Sequence, residues 1–353
     1  METILITGGA GFIGIHTSIV LLDKGYKLVI IDSLINSSYI AIKRLKSIYL
    51  KTNKSSNNLL FYEGDIRDIS FLRKVFKDSI KIGYEINYVI HFAGLKSVYD
   101  SFFNKKKYWE VNVKGTINLT KVMEENKCFN IIFSSSASVY SEYEISPLNE
   151  KAKVKANNPY AENKLEVESI LKNLYKSRPD TWSVVSLRYF NPIGAHSSGE
   201  IGEEPKGKIN NIFPLLCKSA CSDNENLLIY GNDWPTKDGT GIRDYIHVMD
   251  LAEGHVSALE YIKKGHIKSP FSIINLGTGK GTSVLELINV FKKVNRIDIK
   301  YEFTERRKGD KPIIYADIKK ALKVMNWKPK RNIEDMCKDG WKWFINNPYG
   351  YKE

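Results

Sequence analysis

Three segments of the chain place a tyrosine four residues before a lysine, a spacing that puts both side chains on one face of a helix. The pairs are Tyr39 with Lys43, Tyr160 with Lys164, and Tyr315 with Lys319. A lysine ammonium beside a tyrosine favours the phenolate, which can act as a base towards a hydroxyl group. Because the chain has 20 Tyr among 353 residues and many Lys, the spacing also arises by chance. Only the surrounding sequence can therefore indicate which of the three pairs belongs to a functional site.

The segment before Tyr160 selects that pair. FSSSASVY predicts a strand that ends in serine hydroxyls, and ligands of parallel α/β sheets bind at the carboxyl ends of strands. The other two tyrosines do not follow such a strand. We therefore expect Ser136, Tyr160 and Lys164 to meet at one site. The alternative, that Ser136 and Ser138 only cap the following segment, stays open.

The glycine-rich stretch TGGAGFIG follows the first predicted strand and opens the first helix, with glycines at positions 8, 11 and 14. These glycines allow a tight turn and close approach to a pyrophosphate, and the helix N-terminus offers N–H groups to its charge. Asp32 ends the second predicted strand, where a carboxylate accepts from a ribose 2′-hydroxyl and repels a 2′-phosphate. The pattern predicts an NAD site, with an unliganded glycine turn as the alternative.

The elements that carry these residues alternate between short apolar runs and helical stretches, which is typical of a parallel sheet with crossover helices. Strands are predicted at 4–7, 27–32, 59–65, 88–93, 130–136 and 183–189. We expect an α/β fold, with a Rossmann-type doubly wound parallel sheet in residues 1–189. Residues 190–353 are expected to form mainly a smaller C-terminal α/β substrate-binding domain, with some segments returning to the first. The polar stretch 51–58 predicts a mobile loop.

Composition excludes several classes of protein. The net charge of +13 is spread thinly and accompanies no nucleic-acid motif, so we expect no nucleic-acid partner and an anionic small substrate instead. No apolar run approaches the length of about 18 residues that spans a membrane, and no signal peptide is recognisable, so a cytoplasmic protein without a membrane partner is expected. The four cysteines form neither a disulfide framework nor a zinc site, and no metal is predicted.

The glycine spacing resembles that of the short-chain dehydrogenase/reductase superfamily, and the whole chain resembles its extended members, the UDP-glucose 4-epimerases. The resemblance is carried by HFAGLKSV, FSSSASVY, PYAENK, LRYFNPIGAH, YGNDWPTKDGTGIRDYIHVMDLAEGH, NLGTGKGTSVLE and RRKGDKP. It implies that Tyr160, Lys164 and Ser136 are catalytic. The cofactor-binding residues that it implies are Gly8, Gly11, Phe12, Ile13, Gly14, Asp32, Asp65, Ile66, Phe92, Ala93, Gly94, Lys96, Asn112, Tyr160, Lys164 and Tyr189. The substrate-binding residues that it implies are Ser136, Ser138, Asn191, Asn211, Ile212, Tyr230, Arg243, Arg307 and Asp310.

The resemblance implies an isomerase that reversibly epimerises UDP-glucose and UDP-galactose at sugar C4 through a transient UDP-4-keto-hexose. Tyr160 would take the 4-hydroxyl proton while tightly bound NAD takes the hydride, and Ser136 would hold the oxygen. The UDP group would anchor the sugar while it rotates, so that hydride returns to the other face. The resemblance also implies a homodimer formed through the helical stretches 107–126 and 160–176.

Alternative functions stay open. By the resemblance, the side chain at Ile314 controls whether an N-acetyl group at sugar C2 is accepted, so UDP-N-acetylhexosamines are alternative substrates. A nucleotide-sugar 4,6-dehydratase would need an acidic pair beside the active-site hydroxyl, which the 136–138 segment lacks. A non-catalytic cofactor-binding protein is a third alternative. Ser141, Tyr99 and Asn163 depart from the family pattern, although none removes a catalytic group.

Overall fold

The computed structural model describes residues 1–52, 58–207, 209–222, 226–264, 270–307 and 309–352. Of the predicted mobile loop at 51–58, residues 53–57 lie outside the described residues. Within the described ranges, no helix is long and apolar enough to cross a lipid bilayer.

The strands alternate with helices through the first half of the chain, as the sequence predicts. The strands are β1 (Thr3–Thr7), β2 (Lys27–Asp32), β3 (Leu59–Glu63), β4 (Ile86–His91), β5 (Asn130–Ser136), β6 (Ser183–Tyr189), β7 (Asn191–Ile193), β8 (Leu227–Tyr230), β9 (Ile242–Arg243), β10 (Tyr245–His247), β11 (Phe271–Leu276), β12 (Thr282–Ser283), β13 (Tyr301–Thr304) and β14 (Ile313–Ile314).

The helices are α1 (Phe12–Asp23), α2 (Tyr39–Thr52), α3 (Ile69–Lys81), α4 (Val98–Phe103), α5 (Lys105–Trp109), α6 (Gly115–Glu125), α7 (Pro159–Ser177), α8 (Ile212–Ala220), α9 (Val248–Lys263), α10 (Val284–Asn295), α11 (Lys319–Met325) and α12 (Ile333–Asn346). A π-helical turn (Glu110–Lys114) joins α5 to α6, and a 3₁₀ turn (Ala137–Val139) follows β5.

In the described part of the chain, seven parallel strands form the central sheet in the order β11-β6-β5-β4-β1-β2-β3. The Rossmann-type fold and the six predicted strands are confirmed, with strand ends shifted by up to two residues. The seventh strand, β11, comes from the C-terminal half and was not predicted as a strand. The strand order reverses between β1 and β4, which is where an open parallel sheet forms its ligand crevice.

Helices cover both faces of the sheet, so its strands are apolar along nearly their whole length. One face packs against α1, α2 and α9 through residues such as Ile19, Leu45 and Leu259. The other face packs against α3, α6 and α7 through residues such as Phe76 and Leu171. Sheet and helices together therefore form a rigid support for side chains at the strand ends.

A smaller apolar cluster lies in the C-terminal half. It joins α8, α10 and α12 through Phe213, Phe291 and Met336, and β8 contributes Ile229. Helices α10 and α12 begin at capping boxes. The side chains of Ser283 and Asn332 accept from backbone N–H groups of the first turn, and the carboxylates of Glu286 and Asp335 accept from the backbone N–H of Ser283 and Asn332. The short strand groups β8–β13, β7–β10 and β12–β9–β14 accompany this cluster.

Candidate active site

The glycine turn between β1 and α1 presses directly against the end of β4. Gly8 has φ of +69°, and a Cβ built on it would lie 2.7 Å from the backbone nitrogen of Ala93. A Cβ on Gly14 would lie 2.5 Å from the carbonyl oxygen of Gly8, whereas Gly11 at the helix N-cap has more room. The crowding explains why glycine is needed here. Helix α1, with Phe12 and Ile13 in its first turn, begins directly after this turn at the carboxyl end of β1, beside the point where the strand order reverses. This cradle fits a dinucleotide pyrophosphate.

Asp32 holds the turns on both sides of the crevice edge. Its carboxylate accepts from the backbone nitrogens of Ala10 and Leu34, both over 2.9 Å, and from the hydroxyl of Ser37 over 2.7 Å. The side chain is buried. Since each carboxylate oxygen has two lone pairs, acceptor capacity remains for a ribose hydroxyl.

Asp65 and Ile66 follow β3 as predicted and lie on one short segment. Arg67 forms a bidentate ion pair with Asp65, with Nη2 and Oδ2 2.7 Å apart. Burial alone would raise the pKa of Asp65, but the hydrogen bonds from Arg67 outweigh it and hold that pKa below its usual value. Ile66 is buried beneath Gly115, the first residue of α6, where an added Cβ would lie 2.6 Å from its Cδ1.

A buried polar chain links the end of β4 to the π-helical turn. His91 bonds Thr7 through Nδ1 over 2.7 Å and Thr116 through Nε2 over 2.8 Å, while Thr116 donates to the carbonyl oxygen of Asn112 over 2.6 Å. The amide side chain of Asn112 in turn bonds both backbone groups of Leu95, at 2.7 and 3.1 Å. Asn112 thus fixes the loop after β4 that carries Phe92, Ala93 and Gly94, which we name the β4 loop. One amide N–H of Asn112 remains for a cofactor.

Lys96, on the same loop, carries its ammonium towards the C-terminal half of the chain. Its Nζ lies 3.0 Å from Oε1 of Glu203, and the Lys96 side chain is half-exposed. It is therefore an ion-pair partner and not the unpaired, solvated charge that a loop lysine often is.

The side chains of Ser136, Tyr160 and Lys164, which we name the Ser-Tyr-Lys group, lie close together. Lys164 Nζ donates to the backbone oxygen of Ser134 over 2.6 Å and lies 5.6 Å from the centroid of the Tyr160 ring. Burial raises the pKa of Tyr160 to about 12, and a hydrogen bond with the Ser136 hydroxyl acts in the opposite direction. Ser136 also accepts from the backbone nitrogen and hydroxyl of Ser138, over 3.2 and 3.0 Å. Ser136 therefore both caps the 3₁₀ turn and faces Tyr160.

Helix α7 reaches the end of β5 because its first turn is well capped. Asn158 accepts from the backbone nitrogen of Ala161, and Pro159 occupies the first helical position. Burial lowers the pKa of Lys164 to about 8, although the carboxylate of Glu168 acts to raise it. The lysine therefore remains mostly protonated at neutral pH and can supply the positive charge that a phenolate needs.

Glu168 forms a buried ionic group behind Lys164. It accepts from the Ser135 hydroxyl over 2.5 Å and forms a bidentate pair with Arg188, at 2.9 and 2.6 Å. Both charged side chains are less than a tenth exposed. Ser135 and Arg188 are register partners on β5 and β6. The sequence analysis missed this pair, because nothing in the local pattern shows that two residues 20 apart will meet in the core.

Tyr189 reaches the same site from β6, where it pairs in register with Ser136. Its hydroxyl bonds Nε2 of His255 on α9, and Nδ1 of His255 lies 2.8 Å from the carbonyl oxygen of Leu251. Because that carbonyl can only accept, Nδ1 carries the proton and Tyr189 donates to Nε2. The His255 ring also lies 4.8 Å from the ring of Phe92, so it joins the β4 loop to the Ser-Tyr-Lys group. The sequence offered only the motif DLAEGH, with no role for this histidine.

Apart from Ser136 and Ser138, the predicted substrate residues lie in the C-terminal half of the chain, beyond the end of β6. Arg243 Nη1 donates to the backbone oxygens of Ile242 and Lys311, both over 2.9 Å, and its Nη2 lies 3.7 Å from Asp310. The guanidinium is therefore oriented before any ligand binds. Its strand β9 pairs with β14, which places Ile314 beside it.

The remaining predicted substrate residues are partly or fully exposed. The guanidinium of Arg307 lies over the ring of Tyr230 at 3.8 Å. Asn211 occupies the N-cap position of α8 just before Ile212, but its side chain makes no capping bond and instead donates from its amide nitrogen to Glu203 over 3.3 Å. Asn191 follows Tyr189 closely along the chain, and its backbone nitrogen donates to Asp244 next to Arg243. This backbone link connects the substrate residues to the Ser-Tyr-Lys group.

The other two tyrosine-lysine pairs have no such surroundings. Lys43 lies 5.9 Å from the ring of Tyr39, nearly the same distance as in the selected pair, but Tyr39 is 42% exposed on α2. The Lys319 side chain is 91% exposed and pairs with Asp317. Burial and neighbouring hydroxyls, rather than spacing, distinguish the candidate site.

Comparison with known proteins gives consistent matches over the whole chain. The family described as GDP-mannose 4,6 dehydratase matches residues 5–340. UDP-glucose 4-epimerase of Bacillus subtilis (strain 168) is 46% identical over 349 residues, covering 99% of this chain and 98% of that protein.

Two solved structures agree with these matches. UDP-glucose 4-epimerase from Bifidobacterium longum, in complex with NAD+ and UDP, has a TM-score of 0.90 at 42% identity and covers 99% of this chain and all of its own. The Stenotrophomonas maltophila UDP-glucose-4-epimerase, with bound NAD and formylated UDP-arabinopyranose, has a TM-score of 0.92 at 37% identity and covers 99% of both chains.

Proposed function

Since the chain belongs to the UDP-glucose 4-epimerase family and is an NAD-dependent epimerase, we propose that it interconverts UDP-glucose and UDP-galactose by inverting sugar C4. The observation that carries this proposal is the contact of the half-buried Tyr160 with Ser136 and the buried Lys164, at the same edge of the parallel sheet as the glycine cradle.

Tyr160 removes the 4-hydroxyl proton and Ser136 holds the same oxygen by hydrogen bond. NAD, when bound, takes the C4 hydride and later returns it. Because burial raises the pKa of Tyr160 to about 12, the phenolate needs nearby positive charge to form at neutral pH. A cation about 5 Å away contributes roughly 3 kcal/mol at an effective dielectric of about 20, which corresponds to about two pKa units. Lys164 supplies one such charge, and the oxidised nicotinamide, when NAD is bound, would supply a second, so that together they bring the pKa of Tyr160 towards neutrality.

The other predicted cofactor residues are proposed to hold NAD along the crevice. The α1 N-terminus with Gly8, Gly11 and Gly14 takes the pyrophosphate, Asp32 takes the adenosine ribose, and Asp65 with Ile66 takes the adenine. Phe92, Ala93, Gly94, Lys96, Asn112 and Tyr189 surround the nicotinamide half. The crowding at Gly8 supports this assignment, because only a residue without Cβ lets the turn lie this close to Phe92 and Ala93.

Residues 190–353 are proposed to bind mainly the substrate, while α9 and β11 return to the first domain. Arg243 and Arg307 would bind the diphosphate, because guanidinium groups match phosphate oxygens in pairs. Asp310 would accept from ribose hydroxyls, and Tyr230, Ile212, Asn211 and Asn191 would complete the UDP-sugar site. Anchoring through UDP leaves the sugar free to present either face to the cofactor.

We propose a homodimer built on the surface formed by α5, α6 and α7. Trp109 and Ile117 are about 40% exposed there, and the Trp109 indole donates to Glu166 on α7 over 3.1 Å. Exposed apolar side chains on neighbouring helices are typical of an interface between copies. We expect Ile117→Arg to yield a monomer by sedimentation velocity, whereas Leu228→Arg, at an equally exposed position on β8, leaves the dimer intact.

Cytoplasmic location is proposed because the cysteines Cys128, Cys217, Cys221 and Cys337 are free thiols, as expected in a reducing compartment.

UDP-N-acetylhexosamines are the second candidate substrates, because Ile314 is intermediate in bulk and lies beside Arg243 in the parallel pair β14–β9. A 4,6-dehydratase is disfavoured because the 136–138 segment holds only Ser, Ala and Ser. UDP-glucose, UDP-galactose, UDP-N-acetylglucosamine and UDP-N-acetylgalactosamine can be compared directly as substrates of the same preparation.

The test is conversion of UDP-galactose to UDP-glucose by the purified protein without added NAD. Conversion supports both the epimerase reaction and a retained cofactor. Failure to convert after NAD is supplied, together with conversion of UDP-N-acetylgalactosamine, would transfer the proposal to the N-acetylated pair. Failure with every UDP-sugar would overturn it.

A further inference from the structure

One carboxylate joins a predicted cofactor residue to a predicted substrate residue. Oε1 of Glu203 lies 3.0 Å from Nζ of Lys96 and 3.3 Å from Nδ2 of Asn211. Lys96 follows β4 in the central sheet, and Asn211 immediately precedes α8, which belongs to the smaller cluster. The Glu203 side chain is 9% exposed, so its charge is largely removed from water and needs these partners.

The backbone around Glu203 is held from the C-terminal side. The Trp343 indole donates to the carbonyl oxygen of Glu203 over 3.0 Å. Tyr351 donates from its backbone nitrogen to Glu204 over 2.8 Å, and its hydroxyl bonds both backbone groups of Gly202 at about 3 Å. These bonds fix the carboxylate, because few backbone torsions remain free near it.

The same segment is also held at the other end of the cofactor crevice. The Lys206 ammonium donates to the carbonyl oxygen of Ser37 over 2.5 Å, and the Ser37 hydroxyl bonds Asp32. Residues 199–206, which we name the bridging loop, therefore contact the Asp32 side through Lys206 and the β4 loop through Glu203. The loop connects both halves of the crevice with the N-terminus of α8.

We propose that Glu203 is a positioning residue that couples the NAD site to the UDP-sugar site by holding Lys96 and Asn211 on one carboxylate oxygen. This inference rests on the proposed roles of Lys96 and Asn211. The Lys96 ammonium has three N–H groups, so one bond to Glu203 leaves two for cofactor oxygens. Likewise, the second amide N–H and the oxygen of Asn211 remain for the substrate.

The coupling has a thermodynamic consequence. A UDP group bound at Asn211 restricts the Asn211 side chain and thereby the Glu203 carboxylate to which it donates. That carboxylate in turn holds Lys96 against NAD. UDP should therefore slow NAD release, and by reciprocity NAD should strengthen UDP binding. Glu203 carries this effect, so its loss should remove the coupling while each ligand keeps its own direct contacts.

The experiment measures the rate at which NAD leaves the purified holoenzyme, with a separate NAD-consuming dehydrogenase as trap, with and without UDP. Glu203→Gln keeps the shape and removes the charge. The matched control is Glu200→Gln, which removes the 2.7 Å pair with Lys51 elsewhere on the bridging loop. We expect UDP to slow release by about tenfold in the unaltered protein and in the control. In Glu203→Gln, release should be about tenfold faster and insensitive to UDP.

A double-variant cycle separates coupling from general loosening of the loop. If Glu203 acts through Lys96, then Lys96→Gln combined with Glu203→Gln should release NAD no faster than Lys96→Gln alone. Equal release rates and equal UDP effects in Glu203→Gln and the unaltered protein would overturn the inference. Absence of both retained NAD and epimerase activity in the unaltered protein would instead overturn the proposed function.

Discussion

The ammonium of Lys164 donates to the backbone carbonyl oxygen of Ser134 over 2.6 Å. This bond fastens the first turns of α7 to the last residues of β5. Ser135, the next residue of the strand, bonds Glu168, which lies one helical turn after Lys164. Ser136 faces Tyr160, which lies one helical turn before Lys164. Three consecutive serines thus contact three side chains spaced four residues apart, so β5 and α7 are joined at three successive points.

Replacement of Tyr160 by Phe removes the proposed base and leaves the ring in place. We expect the turnover number to fall by at least about a hundredfold, the usual scale for a positioned general base, with NAD still retained. The matched control is Tyr39→Phe, since Tyr39 has the same spacing to a lysine but an exposed position on α2. Steady-state conversion of UDP-galactose measures the effect. Equal losses in both variants would contradict the assignment of Tyr160.

Replacement of Glu168 by Ala leaves the buried guanidinium of Arg188 without its partner. Breaking a buried pair of this kind costs about 3–5 kcal/mol in free energy of unfolding, measurable by urea titration. The control is Glu125→Ala, because Glu125 pairs with Arg73 in the open at the surface and its loss should leave stability nearly unchanged. Glu168→Leu combined with Arg188→Met should be less destabilised than Glu168→Ala, since the buried guanidinium is then removed together with its carboxylate partner. A stable Glu168→Ala would contradict this account.

Replacement of Ile314 by Ala enlarges the site beside Arg243. We expect kcat/KM for UDP-N-acetylgalactosamine, relative to UDP-galactose, to rise by about tenfold or more, the usual scale for a few methylene groups in a pocket. Ile313→Ala is the control, because successive residues of a strand point to opposite faces. A change of similar size in both variants would show that position 314 has no special part in selecting the sugar.

Acid should destabilise the protein through its buried histidines. Burial lowers the pKa of His16 and His91 to about 3 and that of His255 to about 4, from an ordinary value of 6.5. Below pH 6.5 the unfolded chain binds protons that the folded chain excludes. Stability is therefore fully present above that pH and falls as the pH approaches 4 and then 3.

Each of these histidines contributes up to about 1.4 kcal/mol per pH unit to the slope. Urea titrations at several pH values between 6.5 and 4 measure it, and His16→Gln should reduce the slope. A free energy of unfolding that stays constant over this range would contradict neutral, buried histidines.

Much of the fold followed from local sequence patterns. The six predicted strands of the central sheet, the glycine turn before α1 and the helix carrying Tyr160 and Lys164 are all present. Apolar runs, periodicity and glycine spacing report backbone requirements of a few adjacent residues, so they can be read without knowing the rest of the structure. The Ser136, Tyr160 and Lys164 group was predictable for the same reason, since a strand end and the following helix supply it.

The tertiary structure decided what depends on distant segments meeting. Glu203 meets Lys96 across 107 positions, Tyr189 meets His255 across 66, and β11 joins the sheet edge from the C-terminal half. No local pattern encodes such contacts, because they depend on how whole elements pack. The same packing separates the half-buried Tyr160 from Tyr39, which has the same spacing to a lysine but is exposed. Sequence determined which side chains were available, and burial decided which of them have the surroundings that their chemistry requires.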